Sequence, residues 1–265
     1  MTEVVHISVD AGIATLQLDS PRNRNALSAT LVEQLLSGLR TAADDPEVRA
    51  VVLTHSGGTF CAGADLSEAL ASGMSVADAS ALGTRSMLDL MRTIMEMRKP
   101  VIARIDGHVR AGGLGLIGAA DIVLAGPDCT FALTESRLGL APSVISLVLV
   151  PKMTARSAGR YFLTGERFDT ATAVTSGLVT DAFTSAEDLA AGLDTVLRGI
   201  GKASPQGLAA SKELSTAPIL ASFGELADRR AHESAALFGS DEGREGMTAF
   251  LSKRAPRWDL TTESP

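Results

Sequence analysis

The chain has 265 residues, 45% of them hydrophobic and 21% charged, the make-up of an ordinary soluble globular protein with one large domain or a domain and an appendage. Its net charge of -7 argues against a nucleic-acid partner, because phosphate binding draws on clustered Lys and Arg. Cys61 and Cys129 have no metal-ligand spacing and no disulfide framework, which suits a reducing compartment.

The N-terminal MTEVVHISVD lacks the basic start and apolar stretch of a signal peptide. The apolar runs LGLIGAADIVLAG and VISLVLVP are interrupted by Asp121 or stopped at Pro151, well short of a membrane span. A soluble cytoplasmic chain without a membrane partner is therefore expected.

In chain order, VVHISVD and IATLQL alternate around Asp10-Ala11-Gly12 and predict a β-hairpin. Ser28 is placed to cap a helix whose Leu31, Leu35 and Leu39 line one face. RAVVLTH then predicts a buried strand, SGGTFCAGAD a glycine loop, and a helix begins near Leu66. A second unit follows: a helix around 78–98, closed by Pro100, the strand VIARI, the loop DGHVRAGG and a helix from about Leu114. DIVLAG is the third strand of this series. From about residue 152 the patterns are helical, with no further clear strand. Alternating strands and helices predict an α/β fold with a parallel sheet, ligand loops at the strand ends and an α-helical last third.

RAGGLGLIGAAD, residues 110–121, contains Gly113-x-Gly115-x-x-Gly118, the letters of a dinucleotide loop, and Glu135 follows Gly115 by twenty positions. Such a loop must follow its strand at once. VIARI ends at Ile105, and His108, Val109 and Arg110 stand in the gap, so the context is poor. The other reading takes two glycine loops together, Gly63-Ala64-Asp65 and Ala111-Gly112-Gly113, each between a strand and a helix start. Small residues let a ligand approach the main chain, and first-turn N–H groups lack intrahelical partners. Two such donors converging would form an oxyanion hole.

With RNALS (24–28), GGTFCAGADL (57–66), KPVIARIDGHVRAGGLGLIGAADIVLA (99–125) and FALTESRLGLAPS (131–143), the chain resembles the enoyl-CoA hydratase/isomerase, or crotonase, superfamily. The tail EGMTAFLSKRAPRW completes a match along nearly the whole length. Gly115, the FALTESRLGL run and RYFLTGERF make it similar to 3-methylglutaconyl-CoA hydratase-like members. The resemblance implies a spiral of ββα turns over residues 1–200 and a C-terminal helical region, residues 201–265, that builds a homotrimer or a hexamer of two trimers. It implies an acyl-CoA thioester substrate, in which coenzyme A is part of the substrate rather than a separate cofactor.

By position, the resemblance assigns the oxyanion donors to the N–H groups of Ala64 and Gly112 and the general acid/base to Glu135. Typical hydratases of the family carry a second glutamate where this chain has Gly115. The vacancy leaves hydration, double-bond isomerisation by one base, and non-catalytic acyl-CoA binding all open. Arg22, Arg24, Ala26, Ala62 and Asp65 would face CoA on one side, and Phe250 and Lys253 of the tail on the other, from the same or a neighbouring subunit. Leu66, Gly115, Pro142 and Ser143 complete the expected substrate-facing set. Arg110 is an unusual base in a site loop and is expected to meet an acidic acyl tail. No Gly-x-Ser-x-Gly elbow and no metal-ligand spacing is present, so neither a covalent intermediate nor a metal is expected.

Overall fold

The computed structural model describes residues 2–65, 73 and 76–261. Leu66, and the helix expected to begin there, lie outside the described residues. β1 (Val5–Asp10) and β2 (Ile13–Leu18) form the predicted antiparallel hairpin, with Asp10 opposite Ile13. Ala11 and Gly12 turn the chain with φ of 46° and 79°, the left-handed pair that matches the twist of a two-residue hairpin.

β2 continues a six-stranded sheet in which β3 (Ala50–His55), β5 (Val101–Ile105), β7 (Ile122–Ala125) and β10 (Asp181–Ala182) follow in parallel. Every residue of β3 is buried, which explains the apolar run of its first four residues, Ala50, Val51, Val52 and Leu53. α1 (Ala29–Asp44) begins where Ser28 Oγ accepts the Leu31 N–H at 3.2 Å, and Leu31, Leu35 and Leu39 are fully buried.

A second sheet contains β4 (Thr59–Cys61), β6 (His108–Arg110), β8 (Thr130–Ala132) and β9 (Phe168–Asp169). The first three run parallel, and β9 is antiparallel to β8. Sequence reading had placed the β4 and β6 residues in loops and seen no strand after residue 152. The strands it missed are two or three residues long, too short to display an alternation.

The helices are α2 (Val76–Glu96), α3 (Gly112–Ala119), α4 (Ser146–Leu149), α5 (Ala155–Thr164), α6 (Thr170–Thr175), α7 (Ala186–Lys202), α8 (Pro205–Phe238) and α9 (Asp241–Leu251). The main core lies between the sheets and includes α1, α2 and α3. A smaller cluster of Ala50, Ile102, Leu124, Leu189 and Ile200 packs α7 on the opposite face of the six-stranded sheet.

α8 runs through Pro218 without ending, although a proline removes a helical hydrogen bond. Ile219, Phe223 and Ala227 hold it to the core beyond that point. Before it, Lys212 Nζ donates to Ile94 O at 2.7 Å and pairs with Asp121 Oδ2 at 2.8 Å. The outcome is the expected α/β architecture with a helical C-terminal region.

Candidate active site

The parallel strands β4, β6 and β8 point their carboxyl ends the same way, and each delivers one expected residue within three positions of its end. Ala64 follows Cys61, Gly112 follows Arg110, and Glu135 follows Ala132. Strand ends of this kind are where α/β sheets carry ligands.

The first two loops touch. A Cβ placed on Gly63 would lie 2.8 Å from Ala111 Cβ and 3.5 Å from Gly112 N, so a side chain at residue 63 would drive them apart. Gly63 also has φ of 92°, a conformation that favours glycine. Leu27 N donates to Gly63 O at 2.8 Å and Ala62 N to Arg24 O at 3.1 Å, which fixes the first loop on the Arg24–Leu27 segment. The Ala64 and Gly112 N–H groups have no acceptor among the described residues, and both residues reach solvent. Ala111 takes φ of 44° and ψ of -118° to bring the Gly112 N–H to the start of α3, where the helix dipole places partial positive charge.

The glycine run is the body of α3 rather than a nucleotide loop. A Cβ on Gly113 would come within 2.8 Å of Cys61 Cβ, and one on Gly118 within 2.9 Å of Val148 Cγ2. On Gly115 it would meet Ile145 Cγ2 at 2.6 Å and Met87 Cε at 2.8 Å. The place of a second glutamate is thus filled by two apolar side chains. Sequence reading missed both, because Met87 lies in the core stripe of α2 and Ile145 in an apolar run.

Glu135 opens a 3-10 turn, Glu135–Leu138. Its Oε2 is out of reach of solvent with no hydrogen-bond partner, although the residue as a whole is only half-buried. Burial pushes its carboxyl up to about 7. Arg137 does not pair with it: the guanidinium Nε donates to Thr164 O at 2.8 Å, and Ser136 Oγ donates to Leu163 O at 3.1 Å. α9 closes on the other side of this turn. A Cβ on Gly139 would sit 2.7 Å from Glu242 O, and one on Gly246 would strike the Leu138 backbone.

Arg22 and Arg24 are exposed around the 3-10 turn Pro21–Asn23, Ala26 is buried and Ala62 half-buried. The Asp65 carboxylate accepts from Asn23 Nδ2 at 2.8 Å and so ties its loop to that turn. Pro142 is buried, its carbonyl accepting from Ser146 N at 2.9 Å, and half-buried Ser143 accepts the Ser146 hydroxyl at 2.6 Å through its carbonyl. Phe250 and Lys253 are exposed at the end of α9. Arg110 is folded along its own sheet, with Nη1 donating to Thr130 O at 2.5 Å and Nη2 to Thr130 Oγ1 at 2.7 Å.

The chain is similar to known proteins along nearly its whole length. The chain is 31% identical over 258 residues to 2,3-dehydroadipyl-CoA hydratase of Escherichia coli K12, covering 97% of this chain and 98% of that protein. It is 30% identical over 270 residues to the peroxisomal Delta(3,5)-Delta(2,4)-dienoyl-CoA isomerase of Arabidopsis thaliana, covering 97% and 96%. The crystal structure of an enoyl-CoA hydratase from Mycobacterium avium superposes with a TM-score of 0.90 at 54% identity, over 98% of this chain and all of that one. Residues 8–261 match the enoyl-CoA hydratase/isomerase family, and the chain belongs to that family.

Proposed function

We propose that the protein is an enoyl-CoA hydratase that adds water syn across the double bond of a 2-enoyl-CoA. The observation that carries this reading is the contact of the two loops that present the Ala64 and Gly112 N–H groups, neither with an acceptor among the described residues, at the strand ends that also present Glu135 with its buried Oε2. The thioester oxygen accepts from both N–H groups, which stabilise the enolate as charge develops on it. Glu135 takes the proton from water as it attacks C3 and returns one to C2. A carboxyl near 7 exchanges protons at neutral pH, as an acid/base group must.

CoA runs past Arg22 and Arg24 on one side and Phe250 and Lys253 on the other, and the chain works as a homotrimer or paired trimers in the cytoplasm. The likeness to 3-methylglutaconyl-CoA hydratase-like sequences favours a branched or carboxylated acyl group. Arg110 is a weaker candidate for that carboxylate than its position suggested, since Thr130 already occupies three of its hydrogen-bonding directions together with Val109 O.

A second reading is supported by Ile145 and Met87 beside Gly115. With the place of a second carboxylate apolar, Glu135 alone would move a proton between C4 and C2 and so shift a 3-enoyl to a 2-enoyl thioester. The test follows the ultraviolet absorbance of the conjugated enoyl thioester. A hydratase removes absorbance from a 2-enoyl-CoA; an isomerase generates it from a 3-enoyl-CoA and leaves the 2-enoyl-CoA intact. Binding of both thioesters without turnover would reject both readings.

A further inference from the structure

Asn25 is completely buried, although residues 20–24 before it all reach solvent. Its side-chain amide makes three hydrogen bonds: Oδ1 accepts the Ser20 N–H at 2.6 Å, and Nδ2 donates to Ser56 O at 3.1 Å and to Thr59 O at 2.8 Å. Ser56 follows β3 and Thr59 opens β4, so one side chain ties its own segment to the β3–β4 turn. Arg24 and Asn25 have φ of 58° and 53°, a left-handed pair that asparagine tolerates better than most residues.

The segment that Asn25 anchors touches both donor loops. Arg24 O accepts the Ala62 N–H at 3.1 Å, Leu27 N donates to Gly63 O at 2.8 Å, and Leu27 pairs with Ala64 as a parallel bridge. The second loop meets the same segment, since Leu27 Cδ1 would lie 2.9 Å from a Cβ placed on Gly112. None of the three bonds of the Asn25 side chain goes to a donor loop, so its effect on them passes through residues 24–27. Oxyanion donors act through their aim, and a misplacement of about 1 Å is enough to cost catalysis. A buried amide fixes such a segment more firmly than the apolar contact of Leu27 does, because displacing it leaves polar groups unpaired in the interior.

We propose that Asn25 is a positioning residue that aims the Ala64 and Gly112 N–H groups at one thioester oxygen by pinning residues 24–27 to the β3–β4 turn, a role that rests on the oxyanion reading above. Removing the amide takes this partner from Ser56 O, Thr59 O and the Ser20 N–H at once. The backing of both donors then loosens together.

The test reads the infrared stretch of the thioester carbonyl in butyryl-CoA, isotope-labelled at that carbon and bound at saturation to the full chain. Hydrogen bonds to a carbonyl oxygen lower its stretching frequency, so the parent chain is expected to move the band down from its position in free butyryl-CoA. Asn25→Gly keeps the left-handed backbone and removes the amide; most of that shift should be lost. Turnover of the enoyl-CoA that the parent accepts should fall in kcat by about tenfold or more, with a smaller rise in KM, short of the loss of a whole oxyanion donor. Thr170→Val is the control: Thr170 is buried and its Oγ1 donates to Gly126 O at 3.0 Å, so the melting temperature falls while band and kcat stay at the parent's values. Thermal melts establish folding, and if Asn25→Gly is unfolded, Asn25→Asp, which keeps the acceptor for Ser20 N and loses both donors, carries the same readouts. A folded Asn25 variant with the parent's band and kcat overturns the proposal and leaves the oxyanion reading standing. So does an equal loss in Thr170→Val, which would mark general loosening. A parent chain that does not bind butyryl-CoA, or binds it without moving the band, overturns the oxyanion reading and the role of Asn25 with it.

Discussion

Ile145 occupies the ground that a side chain at residue 115 would need, its Cγ2 only 2.6 Å from a Cβ placed on Gly115. Met87 Cε closes the same space from α2 at 2.8 Å. Gly115→Glu therefore overpacks a rigid neighbourhood and is expected to cost about 1–3 kcal/mol, read as a lowered thermal midpoint. Ile145→Ala in the same chain opens room and recovers part of the loss. The double variant then carries two carboxylates at the site, and its ratio of hydration to isomerisation rises over the parent's. A single variant as stable as the parent would mean that Ile145 and Met87 yield freely.

Glu135→Gln removes the proton carrier and keeps the shape. Turnover is expected to fall by about a hundredfold or more, the scale of lost general acid/base catalysis, with substrate binding retained. A variant turning over at the parent's rate would move the chemistry elsewhere.

The same carboxyl makes stability depend on pH. Its folded value of about 7 lies above the ordinary 4.5, so between those two the folded chain binds more protons than the unfolded one and stability falls as pH rises. Above pH 7 the full cost is present, on the order of 3 kcal/mol from that difference. Glu135→Gln should accordingly raise the melting temperature at pH 8 and leave it unchanged at pH 4. Equal melting gains at both values would contradict burial of the ionised form.

α9 supplies a test of how Glu135 is held. Gly246 lets the helix backbone approach Leu138, and Gly139 permits the reciprocal approach to Glu242. Gly246→Val pushes the 3-10 turn away from α9, and the expected result is a larger fall in kcat than rise in KM. A shift in the acidic limb of the pH profile, from greater access of water to Glu135, would separate displacement of the carboxylate from simple loss of stability.

Much of this frame is legible in the sequence where local chemistry and tertiary packing agree. Ser28 caps α1, Ala11-Gly12 turns the hairpin and β3 is buried throughout, each for a reason visible in its own residues. The two glycine loops could be read as donors because small residues before a helix leave N–H groups exposed. That they meet could not be read, since Gly63 and Ala111 are 48 positions apart and only the pairing of β4 with β6 joins them. The short strands β4, β6, β8, β9 and β10 were missed because two or three residues do not define a period. Ile145 and Met87 were missed because nothing distinguishes an apolar residue that fills the site from one that fills the core. Arg110 was read as a site base from its place in the chain, but strand alternation turns its side chain onto Thr130.

The buried pair of Lys212 and Asp121 gives the last prediction. Lys212 Nζ lies 2.8 Å from Asp121 Oδ2, with the lysine side chain 4% exposed and the aspartate 16%. Burial lowers the lysine's affinity for its proton more than Asp121 raises it, so the pair is a costly way to join α8 to the start of β7. Breaking it costs more still, because Asp121 would keep its charge with only Val101 N, at 2.7 Å, as a direct donor. Lys212→Met is expected to destabilise by about 3 kcal/mol, the lower end for a broken buried pair. The lower end applies because Lys152, whose Nζ donates to Ala120 O at 2.6 Å, already acts electrostatically on this group and offsets part of the loss. Adding Asp121→Asn removes the orphaned charge and leaves a side-chain acceptor for Val101 N, so the double variant should be more stable than Lys212→Met alone. Chemical denaturation of the parent, both single variants and the double variant closes the cycle. Additive losses would show that the two residues act independently.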